Sequence, residues 1–272
     1  MAHVPQLDPV LLWPAGAPGA GGEGKEDQPR LTPYLPTSSK PAPAMVICPG
    51  GGYKGRSHHV VPSVVSWLAS LGAASLVLDY RVAPYRHPIP LTDAQRAIRL
   101  VRHHAADWSI DPHRVGVMGF SAGGHLAGSA ATIFDEGDPQ APDPIDRLPC
   151  RPDVLVACYP VITFGPFGHR GSCRNLLGDQ PDPALREYLG LENRVTERTP
   201  PTFLWHTNED AVVPVENVLL MAGALARAKV PYALHVFPRG EHGCGLAEGV
   251  SLTSAWPGLC GAWLGQVGFI DA

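Results

Sequence analysis

A serine hydroxyl, an imidazole and a carboxylate can act as nucleophile, base and orienting acid once a fold brings them within hydrogen-bond reach. The chain offers such a set as Ser121, Asp210 and His242, in that order along the sequence. Ser121 lies in Gly119-Phe120-Ser121-Ala122-Gly123, between the apolar run Arg114-Val115-Gly116-Val117-Met118 and the small, alanine-rich stretch that starts at Gly124. The run, bounded by Asp111-Pro112, reads as a short buried strand and the stretch after it as the start of a helix. The serine then sits on a sharp strand-to-helix corner, where glycines on either side avoid collisions with neighbouring backbone. Such a corner lifts the hydroxyl above the sheet edge and puts the Ala122 N–H at the positive end of the helix. For the acid, Asp210 and its neighbour Glu209 compete; His242, in Gly240-Glu241-His242-Gly243, is the candidate base. Among the other histidines, His125 and His206 read as packed or structural; the adjacent His58-His59, beside the glycine-rich stretch, can touch substrate but read more readily as solvated, and not as metal-binding.

Acyl transfer also needs donors for the oxyanion. Pro49-Gly50-Gly51-Gly52-Tyr53 follows the apolar run Ala44-Met45-Val46-Ile47-Cys48, so the N–H of Gly51 or Gly52 can point at an anion together with that of Ala122.

The elements around these residues must deliver them to one place. Leu31–Leu35 reads as an edge strand because of Pro33, and 44–48 as a central one. Val60–Leu71 is expected to be a helix with Pro62 in its first turn and Gly72 as its stop. Strand 73–80 follows, then a helix from a Thr92/Gln95 capping box to about Ala106. The nucleophile strand and its helix come next, then strands at 154–159, 201–206 and 232–237, with helices at 215–228 and 251–266. Ser121, Asp210 and His242 each fall in a loop after a strand, and in a parallel sheet those loops share one edge. The reading is an α/β fold in one domain, residues 1–272, with a doubly wound, mainly parallel sheet and helices on both faces. Residues 135–152 and 163–200 break the pattern, the second with a short helix near Pro183–Leu189. Both are read as insertions at the carboxyl edge of the sheet, capping the site.

Composition excludes other classes. The chain has 272 residues, a net charge of −4, thirty Gly and thirty Pro. That charge gives no footprint for nucleic acid or an anionic membrane surface. No stretch approaches the ~20 apolar residues that cross a bilayer. The N-terminus shows no basic, then apolar, export signal, so a cytoplasmic location is expected. The six cysteines lack C-x-x-C spacing and are expected to be reduced, with no structural zinc.

Together, Pro49–Tyr53, Gly119–Ala127, Asp210-Ala211-Val212-Val213-Pro214 and Gly240–Gly243 resemble the α/β-hydrolase superfamily. Within it the chain is similar to the bacterial carboxylesterases that include acetyl xylan esterases and feruloyl-esterase-like enzymes. Asp79-Tyr80-Arg81-Val82-Ala83-Pro84 and His169-Arg170-Gly171-Ser172 extend the likeness over nearly the whole chain. Cys48-Pro49 stands where related lipases and esterases often carry His-Gly. The resemblance implies a serine esterase that removes acyl groups, acetyl above all, from sugar esters such as xylo-oligosaccharides. It implies catalytic Ser121, Asp210 and His242, an oxyanion hole of Gly51, Gly52 and Ala122, and no cofactor or metal. Tyr53, Arg56, His58, Tyr85 and His169 are expected to wall the pocket. The same machinery serves an arylformamidase or small peptidase, and a non-catalytic binding protein can keep the fold. A lipase is disfavoured because no long apolar lid is visible.

Overall fold

Strand side chains alternate between two separate cores. Ala44, Val46 and Cys48 pack into one and Met45 and Ile47 into the other; Leu155 and Ala157 oppose Val156 and Cys158 in the same way. A sheet whose strands are apolar on both faces must be covered on both. The computed structural model describes residues 4–38 and 40–271, so the first three residues of the stretch read for an export signal lie outside it.

The sheet has eight strands: β1 Val10–Leu11, β2 Arg30–Tyr34, β3 Ala42–Cys48, β4 Ala74–Asp79, β5 Ile110–Phe120, β6 Leu155–Cys158, β7 Thr202–Thr207 and β8 Tyr232–Phe237. Their order is β1-β2-β4-β3-β5-β6-β7-β8, with β1 and β2 antiparallel and the rest parallel. Helices α2 Ile89–His103, α3 Ala122–Thr132 and α6 Glu216–Arg227 cover one face; α1 Val61–Ser70 and α7 Trp256–Gln266 cover the other. Two shorter helices, α4 Arg170–Leu177 and α5 Pro183–Tyr188, lie between β6 and β7. This is the doubly wound α/β-hydrolase architecture the strand and helix pattern predicts. None of the described helices is long and apolar enough to cross a membrane. All six cysteines are free, four of them buried.

Several boundaries differ from the sequence reading. β2 is not the edge: Val10 and Leu11 pair with Leu31 and Arg30, and the Leu7 N–H donates to the Pro33 carbonyl at 2.9 Å. Proline is tolerated there because the cover outside it is sparse. Helix α2 starts three residues before Thr92, with Pro90 in its first turn. The capping box does not form; Gln95 Nε2 reaches the Ile133 carbonyl at 2.8 Å instead.

The N-terminal segment is pinned by side chains of the core. Arg81 and Asp93 form a fully buried pair at 2.6 Å, and the Arg81 guanidinium also donates to the Pro18 carbonyl at 2.7 Å. Trp13 lies against the guanidinium groups of both Arg81 and Arg96.

Residues 135–152 do not cap the site. They dock on α2, where Arg96 holds Asp143 and Asp146, Arg99 holds Asp135 and the Leu148 carbonyl, and Arg102 holds the Pro149 and Arg151 carbonyls. Arg102 also bonds the Pro112 carbonyl at the start of β5, which puts this end of the segment at the amino edge of the sheet. The excursion follows α3, and a helix leaving the carboxyl edge has run back across the sheet by its end.

Candidate active site

Register sets where the strands stop. Cys48 pairs with Gly119, Phe120 with Cys158, Cys158 with Trp205 and Trp205 with His235. The loops after β3, β5, β7 and β8 therefore open on one edge. The chain visits β4 on one side of β3 and then β5 on the other, so the loops after β3 and β5 flank the switch point where open α/β sheets bind ligands.

Ser121 holds the corner between β5 and α3 with φ 57° and ψ −121°, a backbone conformation L-residues seldom adopt. Its N–H donates to the Cys158 carbonyl at 3.0 Å, and its carbonyl accepts from Val161 at 3.0 Å and Gly124 at 2.9 Å. The flanking glycines are sterically required. A Cβ at 119 would lie 2.0 Å from the Gly123 carbonyl oxygen, and one at 123 would lie 2.1 Å from that of Cys48.

From this corner a continuous relay runs. The Ser121 Oγ stands 2.8 Å from His242 Nε2, and His242 Nδ1 stands 2.6 Å from Asp210 Oδ2. Asp210 Oδ1 accepts the N–H groups of Val212 and Val213, each at 2.9 Å. Burial works to raise the Asp210 carboxyl, but His242 and those two donors outweigh it and hold it below the usual carboxylate range. A carboxylate so fixed keeps the Nδ1 proton on the ring and Nε2 free to accept from the serine. The neighbouring Glu209 turns away and accepts the Gly240 N–H at 3.0 Å. His206, fully buried, has its Nε2 4.0 Å from Asp210 Oδ2, beyond hydrogen-bond reach.

His125 is packed, as its place on α3 suggested. Its Nε2 donates to the Leu189 carbonyl at 2.9 Å, so its Nδ1 accepts the Tyr53 hydroxyl, also at 2.9 Å. Burial, with a smaller contribution from His87, pushes this imidazole down to about 4 against the opposing Leu189 carbonyl. Unfolding returns it to about 6.5, so the unfolded chain binds more protons between these values and stability falls as pH drops through them. Each tenfold change in proton affinity is worth about 1.4 kcal/mol, so His125 alone removes on the order of 3 kcal/mol between neutral pH and pH 4. Urea unfolding at pH 7.5 and 4.5 should show a loss of at least that order, and His125→Gln should flatten the slope. An unfolding free energy that does not change over this range would show that His125 is not buried neutral.

The glycine loop has its carbonyls engaged. Gly50 accepts from Ser57 at 2.8 Å, Gly51 from Lys54 at 3.1 Å, and Gly52 from Asn175 Nδ2 at 2.8 Å. Gly51 has φ +127°, and a Cβ there would meet the Gly55 carbonyl oxygen at 2.3 Å. The N–H groups of Gly51, Gly52 and Ala122 have no acceptor among the described residues, the last because it opens α3. Gly51, Gly52 and Ser121 line one cavity of about 510 Å³, joined by Tyr159, Val212 and His242.

Of the five residues expected to wall this cavity, His169 does. The Ser172 N–H donates to its Nδ1 at 3.2 Å, which leaves the neutral ring's proton on Nε2. Burial first, then the charge of His242, lowers its pKa. The other four point elsewhere. Tyr53 has φ 57° and turns its ring into the core against Tyr80 and His125. Arg56 and His58 pair with Asp79 at 3.3 and 3.1 Å. Tyr85 bonds Asp27 and the Gly21 N–H. His59, of the pair read as able to touch substrate, also lines it, and the wall residues that sequence reasoning missed include Lys54, Arg174 and Asn175. The last two ride on α4, whose Cys173, Leu176 and Leu177 spacing with Gly178 at the end is the signal that would have found it.

A profile of the BD-FAE family matches residues 31–225. The chain is 39% identical to endo-1,4-β-xylanase B of Butyrivibrio fibrisolvens over 85% of this chain and 36% of that one. It is 35% identical to an acetylxylan esterase of Xylanibacter ruminicola over 74% of this chain and 41% of that one. It thus spans less than half the length of these curated relatives. A solved acetyl ester-xyloside bifunctional hydrolase of Caldicellulosiruptor lactoaceticus is 48% identical, with a TM-score of 0.93 over 98% of this chain and 99% of that one. The carboxylesterase Cest-2923 of Lactobacillus plantarum, 24% identical with a TM-score of 0.79 over 100% of both chains, shares the fold. The chain belongs to the BD-FAE family and has the α/β-hydrolase fold.

Proposed function

We propose that this chain is a carboxylesterase that removes acetyl groups from carbohydrate esters such as acetylated xylo-oligosaccharides, by way of an acyl-enzyme on Ser121. The relay of 2.8 and 2.6 Å from Ser121 through His242 to Asp210 carries the chemistry. As Ser121 Oγ attacks the ester carbonyl, His242 Nε2 takes its proton and Asp210 stabilises the imidazolium. The oxyanion is held by Ala122 N–H and by Gly51 or Gly52 N–H. His242 then returns the proton to the departing sugar oxygen, and water cleaves the acyl-enzyme by the same steps.

The substrate class rests on the likeness to the acetylxylan esterase and to the acetyl ester-xyloside hydrolase. The cavity agrees with it, since Lys54, Ser57, His59, His169 and Asn175 offer polar groups to sugar hydroxyls. Xyloside cleavage does not follow from this cavity. Most glycosidases use two carboxylates, and no Asp or Glu among the described residues lines it.

Acetate release from acetylated xylo-oligosaccharides, measured beside 4-nitrophenyl esters of increasing acyl length and the matching acetanilide, tests the reading. Sugar acetates should be cleaved, kcat/KM should fall beyond the shortest acyl chains, and the amide should be the poorest substrate. Cleavage of the amide in preference to the ester, or no release from any sugar acetate, would sink it.

A further inference from the structure

The cavity that holds Ser121 does not end at the relay. It shares Gly171 and Arg174 with a second cavity of about 590 Å³ that continues past Arg170, Asp179 and Arg186. The two form one groove over α4, with far more room than an acetyl group fills.

Charge along this groove is one-sided. Lys54 and Arg174 line the part nearest Ser121, and no acid among the described residues does. Further along, Asp179 is the only described acid beside Arg170, Arg174 and Arg186. The whole chain carries a net charge of −4, so this surface runs against its average. Several arginines elsewhere are committed to aspartates: Arg81 to Asp93, Arg99 to Asp135, Arg102 to Asp153 and Arg114 to Asp111. The side chains of Arg170 and Arg174 make no ion pair or hydrogen bond with any described residue, and both are exposed.

Helix α4 has poor internal reason to carry Arg170, whereas Arg174 lies in its last turn, where the dipole favours a cation. Arg170 is its first residue, where the helix dipole disfavours a cation, and its first turn holds no acid. Arg170 and Arg174 are also spaced i, i+4, so two like charges face each other on one side. An exposed, unpaired Arg170 at the helix start, facing Arg174 on the rim of a reaction cavity, is accounted for by a ligand that neutralises both.

Building on the sugar-ester reading above, we infer that the groove over α4 binds an acidic sugar chain. A uronic acid unit near the acetylated sugar would place its carboxylate on Arg174 and Arg170. Guanidinium groups suit a carboxylate because their N–H donors match its two oxygens.

The test compares kcat/KM for acetate release from two acetylated xylo-oligosaccharides of equal length, one neutral and one bearing a uronic acid branch. The wild-type enzyme should favour the acidic substrate by about tenfold at low salt, the effect of one charge-assisted hydrogen bond, and less at high salt. R170Q/R174Q should bring the ratio to within about twofold of unity, and R174E should invert it. Equal rates of acetate release from both oligosaccharides, or a preference that R170Q/R174Q retains, would overturn the inference while leaving the sugar-ester reading intact. If neither oligosaccharide is deacetylated while 4-nitrophenyl acetate is, both readings fall. An aryl hemisuccinate serves as the arm with its carboxylate on the acyl side. A charge preference seen only there would overturn the sugar assignment.

Discussion

Ser121→Ala should lose on the order of 10⁴–10⁶ in kcat/KM on an aryl acetate, with the fold intact. The loss is large because every covalent step passes through this oxygen, while the remaining donors act only on what attacks by another route. The fold survives because the Ser121 side chain has one internal partner, His242 Nε2, and that atom lies in a cavity open to water. The backbone bonds to Cys158, Val161 and Gly124 do not depend on the hydroxyl. Mass spectrometry of the wild-type enzyme quenched during turnover should find the acyl group on Ser121, and the alanine variant should carry none. An adduct on any other residue, or a variant that keeps more than about a hundredth of the activity, would remove Ser121 from its proposed role.

Asp210→Asn should cost on the order of 10²–10⁴ in turnover, against less than about tenfold for Glu209→Gln. The two carboxylates are adjacent in sequence and differ in what they touch. Asp210 bonds His242 Nδ1 at 2.6 Å and is itself fixed by two backbone N–H groups. An asparagine there either turns its oxygen to His242, losing the charge, or its NH₂ group, which forces the proton onto Nε2 and blocks attack. Glu209 instead accepts one N–H, that of Gly240, and is half exposed near Arg239, so a glutamine oxygen can take its place. Steady-state kinetics of the two variants on one acetyl ester decides the matter. A crippled Glu209→Gln beside a healthy Asp210→Asn would show that the wrong carboxylate has been chosen.

Much of this was legible because the chemistry and the strand period are both local. Each of the eight-residue or shorter apolar runs from 44 to 206 fell close to an observed strand, since a strand buried on two faces writes itself as a continuous apolar stretch, while the run at 232–237 fell on the partly exposed edge strand β8. The corner at 119–123 was legible because close backbone contact there admits only glycine. Where side-chain direction or distant partners decide, the sequence is mute. Tyr53 follows the glycine loop yet faces the core, because a positive φ reverses its side chain. The acids of 135–146 find their partners, Arg96 and Arg99, 36 to 50 residues earlier on one face of α2. Helix α4 was missed because it is only eight residues long and its cationic face hides a short apolar one, and with it went Arg174 and Asn175.

The corner at Ser121 has a further consequence for anyone redesigning the chain. A non-glycine residue at φ 57° and ψ −121° carries on the order of 1–3 kcal/mol of backbone strain that glycine would not. The proposed nucleophile is therefore a place where the less stable alternative is kept. Thermal-stability screens that score folding alone will reward substitutions that relax this turn, and the hardiest variants they return will be inert. Heat tolerance has to be sought elsewhere, with the turn from Gly119 to Gly123 held fixed and turnover measured beside melting temperature at every round.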